Sequence, residues 1–304
     1  MILVSGENLI DVFQNKFKKT YKNIRGGAGY NTAIALGRFN SNVYYFSNLS
    51  NDKYGKSIFK ELKKNKIKTN FISKSSHLTA KAVVIGREKP KYNFKLQDSS
   101  FRFVKIKKIS STNQNKLNLA YFTCLSLYLE PVASENLKLI KKIHKSTTIF
   151  IDPNIRTKII TSKKKYLKSF NNILNYTNII KLSDEDLKYL SSYKDKKKLI
   201  YRWLSKKSLS AVILTKGKNG AKVYTNKLEV SNKPKIVKVK DTVGAGDTFS
   251  AGIIKYFEKN KKLNKKNLKF ISEQDWLNAL VFANSVASKT CERIGCDPPK
   301  INLV

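Results

Sequence analysis

The segment at residues 241–249, Asp-Thr-Val-Gly-Ala-Gly-Asp-Thr-Phe, combines two glycines with two carboxylates. Alternating residues at 236–239 predict a strand before it, and apolar residues spaced four apart at 249–257 predict a helix after it. A turn between a strand and a helix lets backbone N–H groups converge on an anion at the helix N-terminus. Gly244 and Gly246 lack a Cβ, so a phosphate can approach the backbone closely. The pattern predicts a phosphate-binding turn.

Asp247 has two interpretations. A carboxylate at a helix start is commonly an N-cap, because the helix dipole favours it. A carboxylate that faces a phosphate repels it unless it has a chemical task, such as accepting the proton of an alcohol that attacks the γ-phosphorus. The chain has no Gly-x-x-x-x-Gly-Lys-Ser/Thr, so this is not a Walker-type loop. The residues alone leave the N-cap and the general base both open.

Composition bounds the class of protein. The chain has 304 residues, of which 61 are Lys or Arg and 21 are Asp or Glu, so its formal net charge is +40. Its length and a hydrophobic content of 41% suffice for a folded core, which excludes a disordered polycation. No apolar stretch approaches about 18 residues, and residues 1–7 have neither a basic leader nor a long apolar segment. We therefore expect no membrane span, no signal peptide and a cytoplasmic protein.

The positive charge comes mainly from lysine. Only seven of the 61 basic residues are arginine, and the lysines are scattered along the whole chain among abundant Asn and Ile. A nucleic-acid-binding protein uses arginine for bidentate contacts and concentrates its charge on one face. Codon-driven composition is therefore favoured over a functional basic surface, and we expect neither a nucleic-acid nor a membrane partner.

Strand-like runs alternate with helix-period segments along the chain. The predicted strands lie at 2–4, 43–49, 119–125, 147–152, 179–182 and 211–215. The predicted helices lie at 30–39, 54–65, 134–145, 164–176 and 184–190. This alternation, with short connections and continuous apolar strands, predicts an α/β domain with a largely parallel sheet.

Two segments, 13–24 and 77–103, have no helical period. Residues 81–86 and 92–96 predict paired strands around a turn at Lys89-Pro90. We therefore expect one domain over residues 1–304, with a small β-sheet lid formed by about 13–25 and 77–104 and a core formed by the remainder.

A series of motifs resembles the ribokinase-like (PfkB-type) carbohydrate kinases, and among them the bacterial fructokinases. The motifs run in order along nearly the whole chain: GENLID (6–11), GGAGYNTAIALGR (26–38), NDKYG (51–55), DPNIR (152–156), KLSDEDL (181–187), TKGKNGA (215–221), DTVGAGD (241–247) and CERIGCDPP (291–299). The resemblance implies a ribokinase-like α/β fold, in which helices flank a central, mostly parallel sheet and a small β-sheet forms a lid. Ala28 stands where ribokinases proper carry a lysine, which argues against ribokinase itself.

The resemblance implies transfer of the ATP γ-phosphoryl group to a sugar hydroxyl, with fructose as the first candidate. Other candidates are 2-keto-3-deoxygluconate, a ribonucleoside, another ketose, and a catalytically silent sugar or nucleotide sensor. The implied partners are the sugar, ATP, Mg²⁺ and K⁺. Strands of the lid with an unpaired edge could also pair with a second copy, which would give a homodimer.

Site residues follow from the same resemblance. The implied catalytic residues are Asp247 as base and Gly244, Ala245 and Gly246 as the anion-binding turn. The implied substrate-binding residues are Asp11, Gly26, Gly27, Asn31, Arg102 and Arg156. The implied nucleotide-binding residues are Lys181, Ser183, Thr215, Gly217, Gly220 and Asn284. A packing role stays open for Asn284, and a structural ion pair for Arg156.

Ion sites are implied as well. Asp186 is expected to hold Mg²⁺ through water, with Glu185 as the alternative if the register differs by one, because this chain has Ser183-x-x-Asp186 where many relatives have Asn-x-x-Glu. The implied residues of the monovalent-cation site are Asp241, Val243, Thr290, Arg293 and Gly295.

Overall fold

A computed structural model describes residues 1–15, 20–85, 91–106, 109–191 and 195–301. The strands are β1 Ile2–Ser5, β2 Leu9–Asn15, β3 Thr20–Gly26, β4 Val43–Ser50, β5 Ile72–Ser75, β6 Ala80–Ile85, β7 Lys91–Lys95, β8 Leu119–Thr123, β9 Thr148–Asp152, β10 Ile179–Ser183, β11 Ala211–Thr215, β12 Ala221–Tyr224 and β13 Glu229–Asn232. The helices are α1 Ala28–Arg38, α2 Lys53–Lys64, α3 Ser111–Asn115, α4 Val132–Ile143, α5 Lys163–Leu174, α6 Asp184–Leu190, α7 Lys196–Lys206, α8 Ala245–Lys259 and α9 Glu273–Cys291.

The described strands form a large sheet in the order β13-β12-β11-β10-β9-β8-β1-β4-β5. Its strands are parallel except for β12 and β13 at one edge, which are antiparallel. Helices α1, α2, α8 and α9 pack on one face, and α4, α5, α6 and α7 pack on the other. Both faces of the central strands are therefore buried, which explains their continuous apolar sequence. The predicted α/β architecture is confirmed.

A second sheet has four strands in the order β3-β2-β6-β7. The chain enters it after β1 and returns to the core at α1, and the β6–β7 pair forms a later excursion. Residues 9–12 of β2 and the last residue of β3, Gly26, lie outside the segments assigned above to a lid, and the other residues of these strands lie within them. The predicted turn at Lys89-Pro90 lies outside the described residues, and the lid assignment stays a prediction.

One predicted strand is absent, and another ends earlier than predicted. Residues 236–239 lie outside any strand or helix, with Ile236 fully exposed and Val239 half-exposed. Alternation alone does not make a strand when neither face has a partner surface to bury it. The predicted strand at 119–125 ends at Thr123, because Cys124 adopts a positive φ of 52° and starts a 3-10 turn.

Within the described residues, every helix is too short or too polar to cross a bilayer.

Helices α8 and α9 touch at Gly252, where a Cβ would lie 2.7 Å from the Cα of Ala283 and 2.9 Å from Cγ2 of Val286. Overpacking a core costs about 1–3 kcal/mol, whereas replacing glycine by alanine in a helix gains about 1 kcal/mol. We therefore expect Gly252→Ala to lower the free energy of unfolding by up to about 2 kcal/mol, measured by denaturant titration. Lys60→Ala, on the exposed side of α2, is the control and should change stability by less than about 0.5 kcal/mol. A stabilised Gly252→Ala variant would contradict this packing.

Candidate active site

A cavity of about 290 Å³ lies where the parallel strands end and the four-stranded sheet approaches them. Residues at or just after the carboxyl ends of β1, β9, β10 and β11 line one side. The small sheet contributes Leu9, Asp11 and Phe94, and the turn before α8 contributes Gly244 and Gly246. Ligands of open α/β sheets bind at this end of the strands.

The turn before α8 has the geometry that the sequence predicted. Gly244 is the N-cap residue of α8 and has a φ of 78°, in the left-handed region. A Cβ at this position would also collide with the side chain of Cys296. The N–H of Ala245 donates to the carbonyl of Thr242 (3.2 Å) and closes the turn. The N–H groups of a first helical turn have no acceptor inside the helix, so this end of α8 can bind an anion.

Asp247 lies in the first turn of α8, lines the cavity and is 6% exposed. Because Gly244 is the N-cap residue, the N-cap interpretation of Asp247 is wrong. Its Oδ2 instead accepts a hydrogen bond from Nδ2 of Asn31 (2.8 Å). Burial raises the pKa of Asp247 to about 6, although the Asn31 hydrogen bond opposes the rise. Asp247 is therefore a fixed carboxylate that is ionised at neutral pH and can accept a proton.

Asn31 is positioned by the start of α1. Gly27 is the N-cap residue of α1, with a φ of 105°, and a Cβ there would lie 2.5 Å from the carbonyl oxygen of Glu7. The N–H of Asn31 donates to the Gly27 carbonyl (2.8 Å). The diglycine turn thus fixes the helix that carries the partner of Asp247.

Asp11 comes from β2 and is buried against Gly26, where any Cβ would collide with the Asp11 carboxylate. Burial, followed by the charge of Asp247, raises the pKa of Asp11 to about 7. Gly26 is therefore needed to make room for this carboxylate rather than to touch a ligand, since Gly26 does not line the cavity.

Glu7 lines the same cavity and was not among the predicted site residues. It is 2% exposed, and its Oε1 accepts the N–H of Ala28 (2.8 Å) at the start of α1. Its Oε2 is buried and has no hydrogen-bond partner among the described residues. Burial raises the pKa of Glu7 to about 7. Its position directly after β1, at the carboxyl end of a parallel strand, is the sequence signal that could have identified it.

Lys181 and Arg156 bring positive charge to the cavity lining. Lys181 is 5% exposed, and its Nζ forms an ion pair with Oδ2 of Asp152 (2.7 Å). Burial acts to lower the pKa of Lys181, but the Asp152 carboxylate outweighs it and the pKa is raised. Lys181 therefore stays charged beside the anion-binding turn.

Arg102, predicted to bind substrate, does not reach the cavity. Its Nε and Nη2 donate to the carbonyl of Glu130 at 2.9 and 2.6 Å. The guanidinium is thereby held against the loop before α4, and the predicted contact with substrate has no support here.

Asp186, and not Glu185, reaches the cavity, because Glu185 is exposed and absent from the lining. Oδ1 of Asp186 accepts the N–H of Ile155 (2.7 Å), and Oδ2 accepts the N–H and the hydroxyl of Ser183 (2.9 and 2.8 Å) in a capping box. Burial raises the pKa of Asp186. A carboxylate has about four acceptor positions, so one remains for a water molecule of a metal's shell. Across the described ranges no three His, Cys, Asp or Glu side chains converge as direct metal ligands.

The loops of the expected monovalent-cation site also meet. Asp241 is buried, its Oδ1 accepts the N–H of Val243 (3.0 Å), and its Oδ2 accepts the N–H of Gly295 (2.8 Å). The N–H of Arg293 donates to the Thr290 carbonyl (3.1 Å) in the same segment. In the part of the chain that the structure describes, no lysine or arginine forms an ion pair with Asp241. A buried carboxylate without a cationic side chain fits a bound cation.

Only some of the expected nucleotide-binding residues line the cavity. Ser183 and Thr215 line the cavity, whereas Gly217, Gly220 and Asn284 do not. Nδ2 of Asn284 donates to the carbonyl and Oδ1 of Asn232 (3.1 and 2.8 Å), at the end of β13. These contacts agree with the packing alternative for Asn284.

Residues 1–302 match the pfkB family carbohydrate kinase. A fructokinase from Rhizobium leguminosarum bv. trifolii is 30% identical over 280 residues, which cover 90% of this chain and 85% of the relative. The chain belongs to the PfkB family of carbohydrate kinases and is a sugar phosphotransferase. The family resemblance of its motifs is confirmed.

Two solved structures share the fold. Fructokinase with bound ATP from Xylella fastidiosa has a TM-score of 0.90 and 20% identity, covering 97% of this chain and 93% of that chain. A fructokinase double mutant from Vibrio cholerae O395, in a form with fructose, ADP and potassium ion bound, has a TM-score of 0.83 and 21% identity, again covering 97% and 93%. The ribokinase-like fold is confirmed.

The raised pKa of Glu7 makes stability depend on pH. The folded-state pKa of about 7 exceeds the ordinary value of 4.5, so this group's contribution to stability is lost as the pH rises through that window. Glu7→Gln keeps an acceptor for the Ala28 N–H and removes the charge. At each pH we compare the free energy of unfolding of the variant with that of the wild type. This difference should be about 2–3 kcal/mol more favourable to the variant at pH 8 than at pH 5.

Denaturant titrations at the two pH values check this difference. Glu185→Gln, which neutralises an exposed carboxylate, should keep the wild-type pH dependence. If Glu7→Gln also keeps it, Glu7 is not a buried group that gains charge in this window.

Proposed function

We propose that the protein transfers the γ-phosphoryl group of ATP to the 6-hydroxyl of fructose, giving fructose 6-phosphate and ADP. The observation that carries the proposal is the buried Asp247 carboxylate, which lies in the cavity at the anion-binding turn and is held by Asn31 at 2.8 Å. The relatives named fructokinase support the choice of sugar. The alternatives remain 2-keto-3-deoxygluconate, a ribonucleoside, another ketose, and a silent sensor.

Asp247 acts as the general base. Its carboxylate accepts the proton of the sugar hydroxyl as that oxygen forms a bond to the γ-phosphorus, and the bond from the γ-phosphorus to the β–γ bridging oxygen breaks to release ADP. Asp11 and Asn31 bind other hydroxyls of the sugar, and the unpartnered Oε2 of Glu7 accepts a further one. General-base assistance contributes about 10²–10⁴ in rate.

The anion-binding turn stabilises the charge that spreads over the transferring group. The N–H of Ala245 closes the turn on the Thr242 carbonyl, so the first-turn N–H of Gly246 is the donor proposed for the transferring phosphoryl group, and the helix dipole adds to its effect. Lys181 and Arg156 supply full positive charges on the same cavity wall. These fixed groups need no rearrangement during the reaction, which is why they lower its barrier.

The proposed ions would be held at the sites described above. Asp186 would hold Mg²⁺ through water, and Mg²⁺ would supply positive charge that offsets the charge of the ATP phosphates. Asp241 and the carbonyls of Val243, Thr290, Arg293 and Gly295 would hold K⁺. Ser183, Thr215 and the turn at Gly217 and Gly220 face the nucleotide.

The proposed setting is a cytoplasmic enzyme whose partners are the sugar and ATP, not a nucleic acid or a membrane. The four-stranded sheet serves as the lid over the sugar, through Leu9 and Phe94. β3 and β7 are its edge strands, so the sheet could also pair with that of a second copy in a homodimer.

ADP production with ATP, Mg²⁺, K⁺ and a panel of sugars tests the function. We expect turnover on fructose, and a loss of about 10² or more in kcat for Asp247→Asn, which keeps an acceptor for Asn31 but no base. Below pH 6 the wild-type kcat/KM should fall, because protonated Asp247 cannot accept the hydroxyl proton. Asp184→Asn, a carboxylate change outside the cavity lining, is the matched control.

Each outcome of the panel has a separate meaning. Turnover on another sugar would retain the mechanism and replace the substrate. Full activity of Asp247→Asn would remove Asp247 as the base. Binding of ATP without turnover of any sugar would favour the silent sensor.

A further inference from the structure

Asp152, the last residue of β9, is a fully buried carboxylate whose exposure is 0%. Its Oδ2 accepts hydrogen bonds from side chains on three other elements. The donors are Nζ of Lys181 on β10 at 2.7 Å, the hydroxyl of Tyr121 on β8 at 3.0 Å, and Oγ of Ser250 on α8 at 3.2 Å. Four elements of the core therefore meet at a single oxygen atom directly behind the cavity.

Stability alone does not explain this arrangement. A buried ion pair is often no more stabilising than apolar residues of the same volume, because both charges lose their hydration. Oδ1 of Asp152 is also buried without a partner among the described residues, which adds a desolvation cost. An arrangement that is costly to bury and lies at the active site indicates a functional role.

The position of Lys181 suggests what that role is. Its Nζ lies 3.2 Å from the point that a Cβ on Gly246 would occupy, so the ammonium group is in contact with the first turn of α8. The ion pair with Asp152 prevents the long, flexible side chain from leaving this position. A positive charge is thereby fixed against the first turn of α8, at the residue that precedes Asp247.

Ser250 links Asp152 to the same helix. It lies three residues after Asp247, so the two side chains share one face of α8. The hydrogen bond from Ser250 to Asp152 limits the rotation of α8 about its axis. Because Asp247 is carried on α8, the direction of its side chain depends on how this helix is held.

We propose that Asp152 is a positioning residue: it holds the Lys181 ammonium group against the anion-binding turn, holds α8 through Ser250, and so fixes the place and the charge environment of Asp247. This role rests on the proposed function of Asp247 as a base. Asp152 itself does not line the cavity, so it is assigned an indirect role.

Several other groups also face Asp247 and are unchanged in the variants below. They are Glu7 and Asp11, Arg156, the thiols of Cys124 and Cys296, and the phenol of Tyr121. The charge of Asp152 raises the pKa of Asp247, and that of Lys181 lowers it. The two members of the pair therefore act on Asp247 in opposite directions.

The pH dependence of kcat/KM between pH 5 and pH 8 tests the role. The acid limb of this profile is the fall in kcat/KM at low pH, where Asp247 becomes protonated. Asp152→Asn removes the negative charge and leaves Lys181 charged, so the acid limb should move to lower pH by about one unit. Lys181→Met leaves the Asp152 charge, so the limb should move to higher pH by about the same amount. The double variant should return the limb close to that of the wild type, with kcat still reduced because the Lys181 charge is missing from the turn.

Ser250→Ala separates position from charge. It should lower kcat and leave the acid limb unchanged, since no charge is altered. Unmoved limbs in both single variants, or shifts in the same direction, would overturn the proposal. Thermal unfolding identifies a single variant that does not fold. The double variant, which has no unpaired buried charge, then decides, because wild-type kcat in it would also overturn the proposal.

A readout without turnover separates this inference from the proposed function. The carboxyl ¹³C shift of Asp247, identified by its loss in Asp247→Asn, reports the titration of this group directly. Opposite displacements of its midpoint in Asp152→Asn and Lys181→Met support the positioning role even if the protein phosphorylates no sugar. An undisplaced midpoint rejects that role even if fructose is phosphorylated.

Discussion

The burial of negative charge around one cavity is the constraint on which the rest of the site depends. Among the described residues the buried carboxylates are Glu7, Asp11, Asp152, Asp186, Asp241 and Asp247, and all of them line this cavity or directly adjoin its lining. Among the described residues a single lysine, Lys181, is buried. Burying a charge is costly unless it is paired, hydrogen-bonded or neutralised. The site uses each of these means, since it has an ion pair, many backbone N–H donors and carboxyls whose pKa values are raised.

Several motif glycines have their explanation in these carboxylates. Gly26 leaves the space that the Asp11 carboxylate fills, and Gly27 lets α1 start against the backbone of Glu7. Gly244 leaves space for the side chain of Cys296 and also adopts a positive φ. The glycines thus bring strand ends, helix starts and carboxylates within contact distance. This crowding also limits the space that remains for the cavity between them.

The sequence predicted the parts of the fold and the site that depend on local pattern. The glycine turn before α8, the buried parallel strands and the placement of Asp11, Asn31 and Asp247 in one cavity all follow from spacing, motif or resemblance. Glu7 and Asp152 were not among the predicted site residues. Their position at the carboxyl end of a parallel strand marks them as candidates, but the sequence does not reveal that both carboxylates are buried. Arg102 failed for the opposite reason: its motif position did not reveal that the Glu130 carbonyl competes for its guanidinium.

Substitution of the common Asn-x-x-Glu pattern by Ser183-x-x-Asp186 has a physical consequence. Ser183 and Asp186 form a reciprocal capping box, which fixes the start of α6 and holds the Asp186 carboxylate at the cavity. The Asp186 side chain is one methylene shorter than that of glutamate and is held in this way, so the Mg²⁺ proposed above would bind to it through a water molecule. The net charge of +40 already includes the buried carboxylates, so the chain as a whole still attracts anions at long range, and salt weakens this attraction. Near the cavity the balance is local, because Lys181 and Arg156 offset part of the negative charge of the buried carboxylates that line it.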